Sequence, residues 1–192
     1  MFAKDVDDWA VALGAAVGLG YKCLLRYDDL RRARYDDGFF EDDGESISLY
    51  LDGRKTAQYN GEWIIIAKPA DDSPDAGAGV YEALLRGKAR LRGGPILPAL
   101  GRWGVDSGRA QSHPQFVAYL RAALLQAGVA REDVEEVTAH GLRIGGATEV
   151  AKQKLTSTQL QQIFATKTED WLAWYDANEK PARVALSRKL GL

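Results

Sequence analysis

The chain's 192 residues, 46% of them hydrophobic, suit one domain with a real core, or such a domain plus a small appendage. One cysteine, Cys23, and two histidines exclude a disulfide framework and a Cys-rich zinc centre; they point to a reducing, intracellular setting and leave no metal or cofactor expected. The formal charge of −2 argues by itself against a nucleic-acid partner, but the charge is unevenly spread.

Residues 1–52 carry six Lys/Arg against twelve Asp/Glu. Residues 86–121 carry Arg86, Lys88, Arg90, Arg92, Arg102, Arg109 and Arg121 against Asp106 alone. A basic face of this kind can meet phosphates while an acidic back maintains solubility; a solvated charge run is the other reading. The N-terminal MFAKDVDDW is acidic and lacks the basic start of a secretory signal. The longest apolar stretch, Trp9 to Gly20, falls short of the ~20 residues of a membrane span, so a soluble protein without a membrane partner is expected.

From about Asp5 to Leu30 the apolar spacing predicts two consecutive helices, broken at Gly18 and Gly20, with Cys23, Leu24, Leu25 and Leu30 facing inward. Three β signals follow: a weak one around Gly38 to Glu41, the alternating SISLYL of Ser46 to Leu51, and the apolar run Trp63 to Ala67. Asp52-Gly53 and Asn60-Gly61 are turn dipeptides, which predicts a small antiparallel sheet with an exposed, lysine-bearing connection.

Residues 71–79 read as a flexible loop, Tyr81 to Leu85 as a short helix, and the basic stretch through Pro95 and Pro98 as irregular. Ser112 can cap a helix from about Pro114 to Ala127. From Val134 onward the chain reads as helical with interruptions. Thr156 with Gln159 and Thr166 with Glu169 have capping-box spacing, and a last helix covers Ala182 to Lys189. The sum is an α+β chain, mainly α, with one small antiparallel β-sheet.

The sharpest string is HGLRIGGATEVA, His140 to Ala151. A His and an Arg three apart at a helix start share one face and can address one anion, and Gly145-Gly146-Ala147 lets another backbone approach. A packed or solvated His/Arg pair gives the same string. Likewise, Tyr175 between Trp171 and Trp174 reads, taken alone, as a half-buried core aromatic.

HGLRIGGAT resembles the His-x-x-Arg box of tyrosine recombinases of the phage-integrase type, and further segments resemble that family in order. DWLAWYDAN is similar to the segment with the family's nucleophile, matching at Asp170 and Tyr175 and placing Tyr175 32 residues after Arg143. LLRYDDL resembles the segment of the first catalytic arginine, which gives Arg26, or Arg31 in a shifted register; Asp29 stands where glutamate is usual. GRKTAQYNGEW resembles the Lys-Thr-rich β-hairpin turn, giving Lys55 as the catalytic lysine beside Arg54. One position departs: Lys167 stands where His or Trp is usual, eight residues before Tyr175. Lysine can still donate to a phosphate oxygen, as a mobile point charge rather than a rigid ring donor.

The resemblance covers nearly the whole chain. It implies a tyrosine-recombinase (DNA breaking-rejoining) catalytic domain over 1–192, with the N-terminal core-binding domain absent. It implies an enzyme acting on double-stranded DNA without metal or cofactor, monomeric alone and a homo-tetramer on DNA, with DNA in the cytoplasm of a prokaryote or in a nucleus. Arg26, Lys55, His140, Arg143, Lys167 and Tyr175 form the implied catalytic set. Attack by Tyr175 gives a 3′-phosphotyrosyl link and a free 5′-hydroxyl. A type IB topoisomerase shares this chemistry, and a catalytically impaired DNA-binding or assembly module shares the fold.

Overall fold

A computed structural model describes residues 2–53, 61–69, 77–101 and 104–152. The chain opens with helix α1 (Phe2–Lys22), which is continuous through Gly14, Gly18 and Gly20. The expected break at Gly18 and Gly20 is therefore corrected, and packing explains why. A Cβ at Gly18 would lie 2.5 Å from Val80 Cγ2, and one at Gly20 would lie 3.1 Å from Leu142 Cδ1. These glycines cost the helix about 1 kcal/mol each against alanine, but they let neighbouring helices close on it. Ala12, Ala15, Ala16 and Leu19 form the buried stripe.

The helix stops at Leu24, a buried leucine with φ of 54°, after which Leu25 N–H returns to the Leu19 carbonyl at 3.3 Å. A left-handed conformation costs an L-residue roughly 1–2 kcal/mol. A short helix α2 (Tyr27–Arg32) follows, with Arg26 at its N-cap and the Asp29 carboxylate accepting the Arg26 N–H at 3.0 Å.

Strands β1 (Phe40–Asp42), β2 (Ser46–Leu51) and β3 (Glu62–Ala67) pair antiparallel in that order. The alternation of SISLYL sets the register: Ile47 opposes Ile66 and Leu49 opposes Ile64 on the buried face, while Tyr50 opposes Trp63 on the other. Gly53 and Gly61, at φ of 61° and 55°, supply the positive angles that the turn dipeptides anticipate.

Helix α3 (Gly77–Leu91) is longer than the expected Tyr81 to Leu85 and takes up the end of the expected loop. Burial of Val80, Tyr81, Ala83 and Leu84 holds it together. A second antiparallel pair, β4 (Pro98–Gly101) and β5 (Gly104–Ala110), occupies the stretch expected to be irregular, so the described residues form two small sheets rather than one. Pro98 is tolerated because it is the first residue of its strand, beside a register shift.

Helix α4 (His113–Gln126) begins after Ser112, whose N–H is met by the Gln115 side chain at 3.4 Å. Helices α5 (Arg131–Glu135) and α6 (Ala139–Lys152) complete the described chain. The core lies between α1, α3 and the buried face of the three-stranded sheet, with Ile96, Leu97 and Phe116 joining it. Among the described residues, no helix is long and apolar enough to cross a membrane.

Candidate active site

Helix α6 carries the His140–Arg143 string, and its start is built locally. Thr138 Oγ1 accepts the Gly141 N–H at 3.1 Å, an N-cap that the sequence reading missed. The preceding link is held by Arg121, which donates to the carbonyls of Val137 at 3.0 Å and Glu135 at 2.7 Å.

The double glycine sets how closely α6 meets the end of α1. A Cβ at Gly146 would fall 1.8 Å from the Tyr21 carbonyl oxygen and 2.7 Å from Leu24 Cδ2; one at Gly145 would fall 3.1 Å from the Tyr21 ring. At this distance Arg143, only 6% exposed, donates from Nη1 to the Leu24 carbonyl at 2.7 Å. The guanidinium thus bridges 119 residues of sequence to reach the turn that leads into Arg26.

His140 is exposed on the first turn of α6. Burial of its ring's surroundings, then the Arg143 guanidinium, then that of Arg26, hold its pKa below the ordinary histidine value of 6.5. Arg143 reaches the Leu24 carbonyl, Arg26 follows Leu24 by two residues, and His140 precedes Arg143 by one turn of α6, so the three share one corner. The corner favours a neutral imidazole at pH 7, able to donate or accept a hydrogen bond, in the field of two permanent cations. Such an arrangement suits an anion with several acceptor oxygens.

Of the two arginines expected for the first position, Arg26 stands at the N-cap of α2, two residues after Leu24. Arg31 lies on the exposed side of α2, 3.9 Å from Asp28. Tyr27, next to Arg26, donates its hydroxyl to the Gln111 carbonyl, and its ring meets those of His113 and Phe116 with centroids 4.8 Å and 5.9 Å away. This anchors α2 to the start of α4. From the end of α2, Arg32 reaches the carbonyls of Asp52 and Gly53, tethering the entry to the connection that contains Lys55.

Lys55 itself, Arg54, Lys167, Asp170 and Tyr175 lie outside the described residues, as do the two expected capping boxes and the last helix. The basic stretch 86–121 is not one free face. Arg90 pairs with Asp8 at 2.7 Å, Lys88 with Asp37 at 3.0 Å, and Arg109 with Asp106 at 2.7 Å, while Arg121 serves the α5–α6 link. Arg90 and Lys88 thus tie the acidic N-terminal part of the chain to α3.

No protein-family model matches the chain. No curated protein matches it either. Among solved structures, it is similar to the XerH site-specific recombinase bound to palindromic difH substrate in a post-cleavage complex, at 10% identity and a TM-score of 0.59. The likeness covers all of this chain and 52% of that one, so the chain spans about half the neighbour's length. At that identity the likeness concerns the fold alone: mainly helical, with two small antiparallel sheets among the described residues.

Proposed function

We propose that this chain is the DNA-cleaving domain of a tyrosine-type site-specific recombinase. The observation that carries the reading is the corner itself. Arg26 at the N-cap of α2 and His140 and Arg143 of α6 meet where Arg143 holds the Leu24 carbonyl, in a chain whose fold is similar to a site-specific recombinase's. The neighbour's substrate-bound, post-cleavage state supports DNA as the partner.

In this reading Arg26 and Arg143 donate to the non-bridging oxygens of a DNA phosphodiester, where charge accumulates as the phosphorane forms. Neutral His140 hydrogen-bonds the same group or assists removal of the Tyr175 proton. A tyrosine hydroxyl, with a reference pKa of ~10, needs such positive surroundings to attack at neutral pH. Tyr175 bonds to phosphorus, the 5′-oxygen leaves, and Lys55 supplies the proton that makes it a hydroxyl. Lys167 adds a further donor to the phosphate. The phosphotyrosyl bond conserves the energy of the broken phosphodiester, so rejoining needs no nucleotide. Assembly as a homo-tetramer on DNA, from a free monomer, belongs to the same proposal, as does action inside the cell.

The test is a pool of nicked suicide duplexes, in which loss of the short leaving fragment that bears the 5′-hydroxyl traps the intermediate. A covalent protein–DNA adduct is expected with the wild type and none with Tyr175→Phe. Lys167, in place of the usual ring donor, favours a second reading: a DNA-binding module with impaired chemistry. It is the correct one if no adduct forms on any duplex while binding persists and weakens steeply with salt. Relaxation of supercoiled plasmid by the isolated monomer would instead indicate a topoisomerase.

A further inference from the structure

The residue that ties the corner together is not itself polar. Leu24 sits in the left-handed region at φ of 54°, one of two non-glycine residues with positive φ among those described. It is 1% exposed, and its carbonyl is the acceptor of Arg143 Nη1 at 2.7 Å. Its Cδ2 lies against Gly146, one turn beyond Arg143 on the same helix. Two residues further on, the chain delivers Arg26 at the N-cap of α2. A leucine held in a conformation that glycine or asparagine adopts more readily marks a turn whose direction is set by its surroundings.

We propose that Leu24 is the positioning residue of this site: its left-handed backbone aims a carbonyl at Arg143 and fixes that guanidinium relative to Arg26 and His140. The mechanism acts through backbone direction. A right-handed or extended residue at 24 would swing the carbonyl away from Arg143 and redirect the chain before Arg26. The assignment to catalysis rests on the recombinase reading; the positioning itself does not.

Side-chain size and backbone preference make opposite demands on variants at this position, which gives a clean test. For a packed core leucine, Leu24→Val is the mildest change and Leu24→Gly or Leu24→Asn the harshest. For a left-handed positioning residue the order reverses, because β-branching opposes positive φ while Gly and Asn accept it. Two readouts apply to the full chain, each normalised to folded protein. The first is adduct yield on nicked duplexes; the second is the His140 titration by NMR, with His113→Gln used to assign the two histidine signals.

Leu24→Val is expected to raise the His140 pKa toward 6.5 as the Arg143 charge moves off. It should also lower adduct yield roughly 100-fold, the scale of a catalytic group displaced by about 1 Å. Leu24→Gly and Leu24→Asn are expected to lose less than Leu24→Val on both readouts. A folded Leu24→Val protein in which His140 titrates as in the wild type overturns the proposal, even if neither other variant folds. If no protein forms an adduct, the recombinase reading fails while the titration still decides the role of Leu24.

Discussion

In the three-stranded sheet, each buried side chain meets a neighbour across a strand pair, as Leu49 meets Ile64 and Ile47 meets Ile66. At the corner of α1, α2 and α6 the decisive contacts are of another kind: a helix pressed onto a carbonyl through a glycine, and a guanidinium on a carbonyl 119 residues away. The sheet can lose or gain a methyl group and repack, because its partners are flexible side chains. The corner has backbone on one side of its closest contact and cannot yield there. The region proposed for chemistry is therefore the less forgiving one, as expected where groups must be held for a reaction.

Changes of one carbon expose the difference. Gly146→Ala drives a Cβ into the Tyr21 carbonyl, and a loss of about 3 kcal/mol is expected in urea unfolding, the upper range for overpacking. Ile64→Val in the sheet should lose about 1 kcal/mol. Equal losses would show that α6 can shift away from α1 at little cost, which would remove the basis for a rigid corner.

Arg143→Leu sharpens the comparison at the level of a single hydrogen bond. It leaves the carbonyl of Leu24, a residue 1% exposed, without its guanidinium donor; a loss of about 2 kcal/mol is expected from one unmet buried acceptor. Adduct formation should fall by at least about 100-fold, the scale of losing one donor to a developing oxyanion. Ile65→Thr, at a 66% exposed residue on the outer face of β3, should change stability by no more than about 0.5 kcal/mol. A variant at Arg143 as mild as that one would mean that the bond to Leu24 is incidental.

The smallest effect is in pH. His140 binds a proton more weakly in the folded chain than in the unfolded one, owing to burial, Arg143 and Arg26. The unfolded state therefore holds the extra proton below the ordinary value of 6.5. The stability linked to this group is fully present above that pH and is lost as pH falls through the folded pKa. Thermal unfolding of His140→Gln should show a shallower decline than the wild type over that window. An identical decline would contradict the shared corner.

The legible parts of the sequence are those whose causes are local. SISLYL forms β2 over the residues where its alternation runs, and Ser112 with Pro114 marks the start of α4. Gly18 and Gly20 give a false break signal because their role is to admit Val80 and Leu142 from distant segments. β4 and β5 carry glycines, a proline and no sustained alternation, so nothing local announces them. At the corner, the His140–Arg143 spacing and the Arg26 segment are legible only through a family resemblance. The left-handed Leu24 had no local signal, since leucine is not a residue that prefers positive φ.

The central claim is that Arg26, His140 and Arg143 together receive a DNA phosphate. The most direct measurement is the NMR titration of His140 with and without a saturating nicked duplex, using Tyr175→Phe so that no chemistry follows. A phosphate entering between the two guanidiniums brings negative charge to the imidazole and is expected to raise its pKa well above the free-protein value. A His140 pKa that stays depressed while the duplex is demonstrably bound would place the DNA elsewhere and contradict the account.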